Sequence, residues 1–235
     1  ASDLSTTDNR IEDVQRVLNE KYNNQEHISV YVKQLDTDRV AAINDEKSMY
    51  AASIAKLGVL YYAQERLSQK KLSLSNEYQY TSTVNGFPGA YDPDGSGKIS
   101  KMPDDKNYSL ENLLKAVAQN SDNVATNILG YYVANQYDNS FQKSVDKASA
   151  TSWNMDKKEL TARAAGTLME AIYRQNGDII NYLSSTDYDG ERISKNIDVP
   201  VAHKIGDAYD FKHDVAIVYT DSPFILSIFT DKEGY

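Results

Sequence analysis

Met49-Tyr50-Ala51-Ala52-Ser53-Ile54-Ala55-Lys56-Leu57-Gly58-Val59-Leu60 is the stretch from which the fold is read. Ser53 opens an apolar helix and Lys56 follows three residues on, a spacing that puts both side chains on one face, one turn apart. A serine in the first turn lies among free backbone N–H groups at the positive end of the helix dipole, where developing negative charge is favoured. Ile54, Leu57, Val59, Leu60, Ala63 and Leu67 leave no fully polar face, so a central, buried helix is expected. A hydroxyl and an amine at the mouth of such a helix are costly without partners. Ser53 and Lys56 are therefore the first candidates for chemistry. The spacing alone decides little, because Ser-x-x-Lys recurs at Ser68–Lys71, Ser140–Lys143 and Ser144–Lys147. By itself the plainer reading is a helix cap for Ser53 and a solvated lysine for Lys56.

The chain has 235 residues, 40% apolar and 25% charged, the balance of a globular protein with enough apolar residue for a sizeable core. A formal charge of −9 and a pI near 4.9 argue against nucleic acid or an anionic membrane surface as partner. No apolar run has the length of a transmembrane helix. Cysteine is absent, which removes disulfides, thiolate catalysis and cysteine metal sites together. The small, polar start from Ala1 to Asn9 reads as a chain whose targeting segment has been removed.

A helical pattern begins at Asp8, with Ile11, Val14, Val17 and Leu18 on one face. His27 to Leu35 alternates as a half-buried strand, Asp36-Thr37-Asp38 is turn chemistry, and Val40 to Ile43 returns as a second strand. Ser73 to Asn107 is polar and irregular, a surface excursion. Helices are expected after Ser109, from Asp122, over Thr161–Arg174 and over Asp178–Leu183. The last third turns to strands at Val199–Lys204, Asp214–Tyr219 and Phe224–Phe229. The fold expected is α+β: an antiparallel sheet from the N- and C-terminal segments, flanked by helices, with an all-helical insertion. Residues 1–50 and 197–235 would form the sheet subdomain and 51–196 the helical one. Together they make one interleaved unit with a cleft at the seam.

Two further motifs lie along this frame. Ser121-Asp122-Asn123, at the junction of two helices, occurs once and can point Ser121 and Asn123 at the cleft, although it also serves as a helix start. His203-Lys204-Ile205-Gly206-Asp207 puts a lysine on a strand, then a glycine where the backbone is approached closely; an edge lysine that blunts aggregation is the plainer reading. Lys-x-Gly recurs at Lys56–Gly58 and Lys232–Gly234. Their order is more telling than any one of them. Ser-x-x-Lys, Ser-Asp-Asn and a late Lys-x-Gly resemble the three-part signature of class A β-lactamases and penicillin-binding serine hydrolases. The likeness spans nearly the whole chain, taking in Tyr91 to Ile99, Thr161-Ala162-Arg163 and the strand pair from His203 to Tyr219.

The resemblance implies roles. Ser53 would be the nucleophile that opens a strained or activated amide and becomes an ester. Lys56 would take its proton, Ser121 would relay a proton to the leaving nitrogen, and Asn123 would hold Lys56 and the substrate amide. Lys204 would attract a substrate carboxylate, and the backbone N–H groups of Ser53 and Asp207 would form an oxyanion hole. Tyr91, Ile205, Gly206 and Asp207 are expected to line the substrate site, with Tyr91 at the rim. The substrates implied are β-lactams or D-Ala-D-Ala-type peptides bearing a carboxylate. No metal or cofactor is implied, and the protein is expected to be a monomer, extracellular or attached to the cell surface.

Three departures stand against the family pattern. Class A enzymes carry a deacylating acid on a long loop, but here Ser140 to Leu160 is short, and Asp146, Asp156 and Glu159 have no recognisable context. Without a positioned base, general-base help worth roughly 10²–10⁴-fold is lost, so acylation should outlast turnover. Ile205 stands where a Thr or Ser is usual, removing a hydrogen bond to charge worth about 1.5–3 kcal/mol. The sequence also stops at Tyr235, where the family adds a helix. These departures leave a non-catalytic cell-wall binding or sensing protein as the rival reading. Asp92 to Ile99 resembles the start of a calcium loop, but Pro103 takes the position of the bidentate glutamate. His27, His203 and His213 lack paired metal spacing, and His203 is expected to border the cleft beside Lys204.

Overall fold

The computed structural model describes residues 8–232, so most of the polar start read at 1–9 lies outside the described residues. Helix α1 (Arg10–Tyr22) leads into β1 (Ile28–Gln34) and β2 (Val40–Ile43). After β3 (Met49–Tyr50), a 3-10 turn (Ala52–Lys56) runs straight into α2 (Leu57–Ser68). Then come β4 (Glu77–Gln79), a second 3-10 turn (Ser82–Asn85) and β5 (Asn107–Ser109). Helices α3 (Leu110–Asn120), α4 (Asn123–Tyr132) and α5 (Asn139–Ser149) follow. The chain continues through β6 (Glu159–Leu160), α6 (Ala162–Gln175), α7 (Asp178–Tyr182) and α8 (Arg192–Lys195). It closes with β7 (Val201–Ala208), β8 (Phe211–Val218) and β9 (Phe224–Thr230).

The main sheet has the order β2-β1-β9-β8-β7, antiparallel throughout. The chain's first and last strands meet in it, with Val30 opposite Ile228 and Val32 opposite Leu226. This is the α+β arrangement expected from the hydrophobic alternation. On one face α6 packs Ala165, Leu168, Met169 and Ile172 into a core shared with Tyr31, Val215, Ile217 and Ile225. On the other, Ile11 and Leu18 of α1 cover Val30 and Val32. Helices α3, α4 and α6 start on side-chain caps. Ser109, Asp122 and Thr161 accept from the backbone N–H of Asn112, Ala125 and Ala164.

Helix α2 runs through the middle, with Leu57, Leu60 and Ala63 fully buried. Gly58 is required there by contact rather than conformation. A Cβ at Gly58 would stand 2.7 Å from Nε1 of Trp153, whose indole N–H donates to the Ala55 carbonyl at 3.1 Å.

Four expectations are corrected. Ser53 opens a 3-10 turn rather than the α-helix itself. Helix α5, capped by Asp138, fills part of the run read as a short loop; its polar residues hide an apolar face made of only Phe141 and Val145. The 73–107 excursion is not all surface, because Tyr80, Val84, Phe87 and Tyr91 are buried. Strand β7 continues through Gly206 to Ala208 and β8 begins at Phe211, since the pairing of Asp207 with Lys212 carries the ladder past residues of poor strand propensity.

Candidate active site

The site grows from the turn at Ala52–Lys56. In a 3-10 helix, residues three apart eclipse one another, so Ser53 and Lys56 are stacked more directly than an α-helix would place them. Ala52, just before Ser53, has φ +50, a left-handed conformation that costs a non-glycine residue about 1–3 kcal/mol and clusters at functional sites. The backbone around it is held from two sides: Ala51 N–H donates to the Lys158 carbonyl at 2.7 Å, and the Tyr91 hydroxyl donates to the Ala52 carbonyl at 3.0 Å. Ser53 is half-buried, while Lys56 is fully enclosed.

The junction of α3 and α4 supplies the partners of Lys56. Ser121 ends α3 with φ 52, and Asn123 begins α4. The Lys56 Nζ bonds the Ser121 carbonyl at 2.6 Å, the Ser121 Oγ at 3.2 Å and the Asn123 Oδ1 at 2.5 Å. Lys204, arriving from β7, donates to the same Ser121 Oγ at 2.7 Å and to the Ile205 carbonyl at 2.9 Å. One hydroxyl thus joins two buried lysines. Burial holds Lys56 well below the usual lysine range; Lys204 and Lys158 push the same way and Asp122 resists. Lys204 is pushed down to about 7, chiefly by burial, with Asp214 opposing and Arg192 adding to the fall.

As an amine, Lys56 has two N–H groups and one lone pair. These match the two carbonyl-type acceptors and a hydrogen bond received from Ser121 Oγ–H. As an ammonium it would donate to all three atoms. The pocket accommodates both forms, which is what a base that gains and loses a proton needs.

Strand β7 is the edge of the sheet and lies against the Ser53 turn. Gly206 marks the closest approach: a Cβ there would fall 2.6 Å from the Ala51 carbonyl oxygen. The backbone of Asp207, next along, therefore runs beside the turn that bears Ser53. The Asp207 carboxylate pairs with Arg192 at 2.6 Å, and Ile205 is buried. His213 fastens the other side of this hairpin, its Nε2 bonding the Tyr50 carbonyl at 2.8 Å. Ser53, Lys56, Ser121, Asn123, Lys204, Gly206 and Asp207 are thus brought to one seam.

Two expected positions are corrected. Tyr91 is not at the rim but buried beneath the site, its ring 4.7 Å from the Lys56 Nζ. Asn127 fixes it there by bonding both its backbone N–H and its carbonyl. His203 does not border the cleft. As the strand neighbour of Lys204 its side chain points the other way, fully buried between Asp214 at 3.0 Å and Asp189 at 2.9 Å. Of the three acids weighed before α6, Asp156 and Glu159 are exposed, and Asp146 is occupied by the Trp153 N–H and Gln142.

Several residues escaped the sequence reading. Ser96 donates to the Ser121 carbonyl at 2.7 Å, Asn123 Nδ2 donates to the Asp92 carbonyl at 2.9 Å, and Asp122 takes the N–H groups of Lys98 and Ile99. The calcium-like stretch is therefore a strap knitted onto Ser121-Asp122-Asn123. Lys158 is buried with its Nζ 4.4 Å from the Tyr91 ring centre, and nothing in its polar surroundings, Asp156-Lys157-Lys158-Glu159, signals burial. Among the described residues no group of His, Asp or Glu is arranged to hold a metal ion, and no helix is long and apolar enough to cross a membrane.

Known structures share this architecture. PBP-A superposes with a TM-score of 0.75 at 14% identity, covering 94% of this chain and 88% of its own. The TLA-1 extended-spectrum β-lactamase gives 0.75 at 17% identity, covering 96% and 92%. A β-lactamase from Francisella tularensis gives 0.70 at 19%, covering 96% and 90%. At such identities the likeness is one of fold. No curated protein sequence matches the chain. The family model described as the β-lactamase enzyme family, however, matches residues 9–234, nearly the whole sequence. This protein belongs to the β-lactamase enzyme family.

Proposed function

We propose that this protein is a serine acyl-transfer hydrolase that opens β-lactams or D-Ala-D-Ala-type peptides through an ester on Ser53. The observation that carries the reading is the continuous line from Lys56 Nζ through Ser121 Oγ to Lys204 Nζ, beside the turn bearing Ser53. Ser53 Oγ attacks the amide carbon while its proton passes to the Lys56 amine. The carbon–nitrogen bond breaks, and the proton returns through Ser121 to the leaving nitrogen. Backbone N–H groups of Ser53 and Asp207, adjacent across the Gly206 contact, serve the developing oxyanion. Lys204 receives the substrate carboxylate in its charged form. The family setting fits a secreted or surface-attached monomer acting near the cell wall.

Release of the acyl group is expected to be slow. Ile205 offers the substrate carboxylate no hydroxyl, and the acids before α6 are exposed or already bonded. The same two observations favour a second reading, a protein that binds or senses cell-wall peptides without turnover. Incubation with a reporter penicillin followed by intact-mass measurement separates them. A persistent adduct, absent from Ser53→Ala, supports acylation with slow release. Loss of the penicillin without an adduct supports full turnover, and a folded protein that neither gains mass nor consumes the penicillin refutes the hydrolase.

A further inference from the structure

Three lysine side-chain nitrogens are enclosed around the Ser53 turn, and every hydrogen bond they make goes to a neutral acceptor. Lys56 bonds Ser121 and Asn123, Lys204 bonds Ser121 and the Ile205 carbonyl, and Lys158 bonds the carbonyls of Gly89 and Met155. Lys158 is the one for which the chemistry above has no use. Its Nζ has three donors and three acceptors around it: Gly89 O at 2.9 Å, Met155 O at 2.8 Å and the face of Tyr91. That set suits an ammonium and offers nothing to an amine lone pair. Lys56 differs, because the Ser121 hydroxyl can donate to it. Both nitrogens lie over the same ring, Lys56 at 4.7 Å and Lys158 at 4.4 Å from its centre.

A positive charge settled on that ring makes a second one there unfavourable. Of the two lysines, Lys56 is the one whose surroundings accept the neutral form. We propose that Lys158 is a positioning residue for the acyl-transfer reaction, holding Lys56 as the free amine that takes the Ser53 proton. The proposal rests on the reading that Ser53 is acylated. It accounts for why a lysine is buried with no carboxylate bonded to it, and why its backbone is tied to the nucleophile turn through Ala51 N–H. The charged or titratable groups facing Lys56 are Lys204 from β7, Asp122 from the head of α4, Tyr91 from the strap and Lys158. Lys158 itself faces Asp156 and Tyr91, and burial moves it below the usual lysine range.

The test is a titration of the lysine side-chain carbons by NMR in the whole chain, with Lys56 assigned by its loss in Lys56→Arg. In Lys158→Met and Lys158→Gln the midpoint of Lys56 is expected to rise by about one pH unit. In Lys158→Arg, which keeps the charge, it stays near the wild-type value. Equal midpoints in wild type and both neutral variants overturn the proposal. Should those variants not fold, the wild-type curves decide, with Lys158 assigned by its loss in Lys158→Arg: Lys158 must titrate above Lys56, and a Lys158 midpoint at or below that of Lys56 overturns the inference. This readout needs no substrate. A wild type that neither gains a penicillin adduct nor consumes the penicillin therefore strikes the hydrolase reading, while an unmoved Lys56 strikes Lys158 alone.

Discussion

Lys56 and Lys204, from segments far apart in the chain, reach the same oxygen, the Ser121 Oγ, at 3.2 and 2.7 Å. The hydroxyl is the sole polar bridge between the two amines among the bonds they make, so its removal severs the path without emptying the pocket. Ser121→Ala is expected to retain its fold and to lower the rate of acylation by about 10²–10⁴-fold, the usual contribution of a positioned proton carrier. Stopped-flow acylation with a chromogenic penicillin measures it, and a loss below about tenfold would remove Ser121 from the proton path.

The pH dependence follows from Lys204. Burial sets its midpoint at about 7, so it is charged below that value and neutral above it. On the proposed reading, attraction of a substrate carboxylate is expected at pH 6 and should fade as pH rises through 7. The second-order acylation constant, which reports the free protein, should therefore fall on the alkaline side. Lys204→Arg keeps its charge at all working pH values and should abolish that falling limb, whatever it does to the absolute rate. An alkaline limb that survives in the arginine variant assigns the titration to another group.

Much of this arrangement was legible in the sequence, and the failures share a cause. Lys56, Ser121 and Lys204 stand in motifs whose residue types are costly where the hydrophobic pattern puts them, and that conflict is visible without coordinates. The helix starts near Ser109, Asp122 and Thr161 were legible because their signals are local. Lys158, His203 and Tyr91 were misplaced or missed because their positions depend on long-range partners. Burial of Lys158 is made possible by carbonyls at Gly89 and Met155, and that of His203 by Asp189 and Asp214. Helix α5 was missed because its buried face holds few apolar residues, too weak a periodicity to stand out.

Gly206 tests the approach of β7 to the turn that bears Ser53. A methyl there would meet backbone, the Ala51 carbonyl at 2.6 Å, along with Ile54 Cγ1 at 2.8 Å, and neither β7 nor the 3-10 turn can yield without moving Asp207 or Ser53. Gly206→Ala is expected to cost about 1–3 kcal/mol of stability through overpacking and to reduce acylation by more than Ser121→Ala does. Denaturant unfolding combined with adduct formation checks both. A stable variant with normal acylation would mean that the strand and the turn need not touch for chemistry.

The last prediction concerns the buried histidine behind Lys204. Both ring nitrogens of His203 meet carboxylates, Nδ1 with Asp214 at 3.0 Å and Nε2 with Asp189 at 2.9 Å, and Thr186 lies at 3.3 Å from Nε2. Burial opposes protonation, but the two carboxylates outweigh it and raise the midpoint above the ordinary histidine value. A group held above its unfolded midpoint stabilises the fold fully below about pH 6.5 and loses that contribution as pH rises through the folded midpoint. Lys56 and Lys204 act in the opposite sense, because lysines held low in the fold penalise it least at high pH. The wild-type curve therefore mixes the two effects, and only a difference isolates the histidine. Between pH 5 and pH 9, the gap in melting temperature between wild type and His203→Gln should be widest at the acid end and shrink with rising pH. A gap that is constant, or that widens toward pH 9, would show that the imidazole is neutral between its two carboxylates.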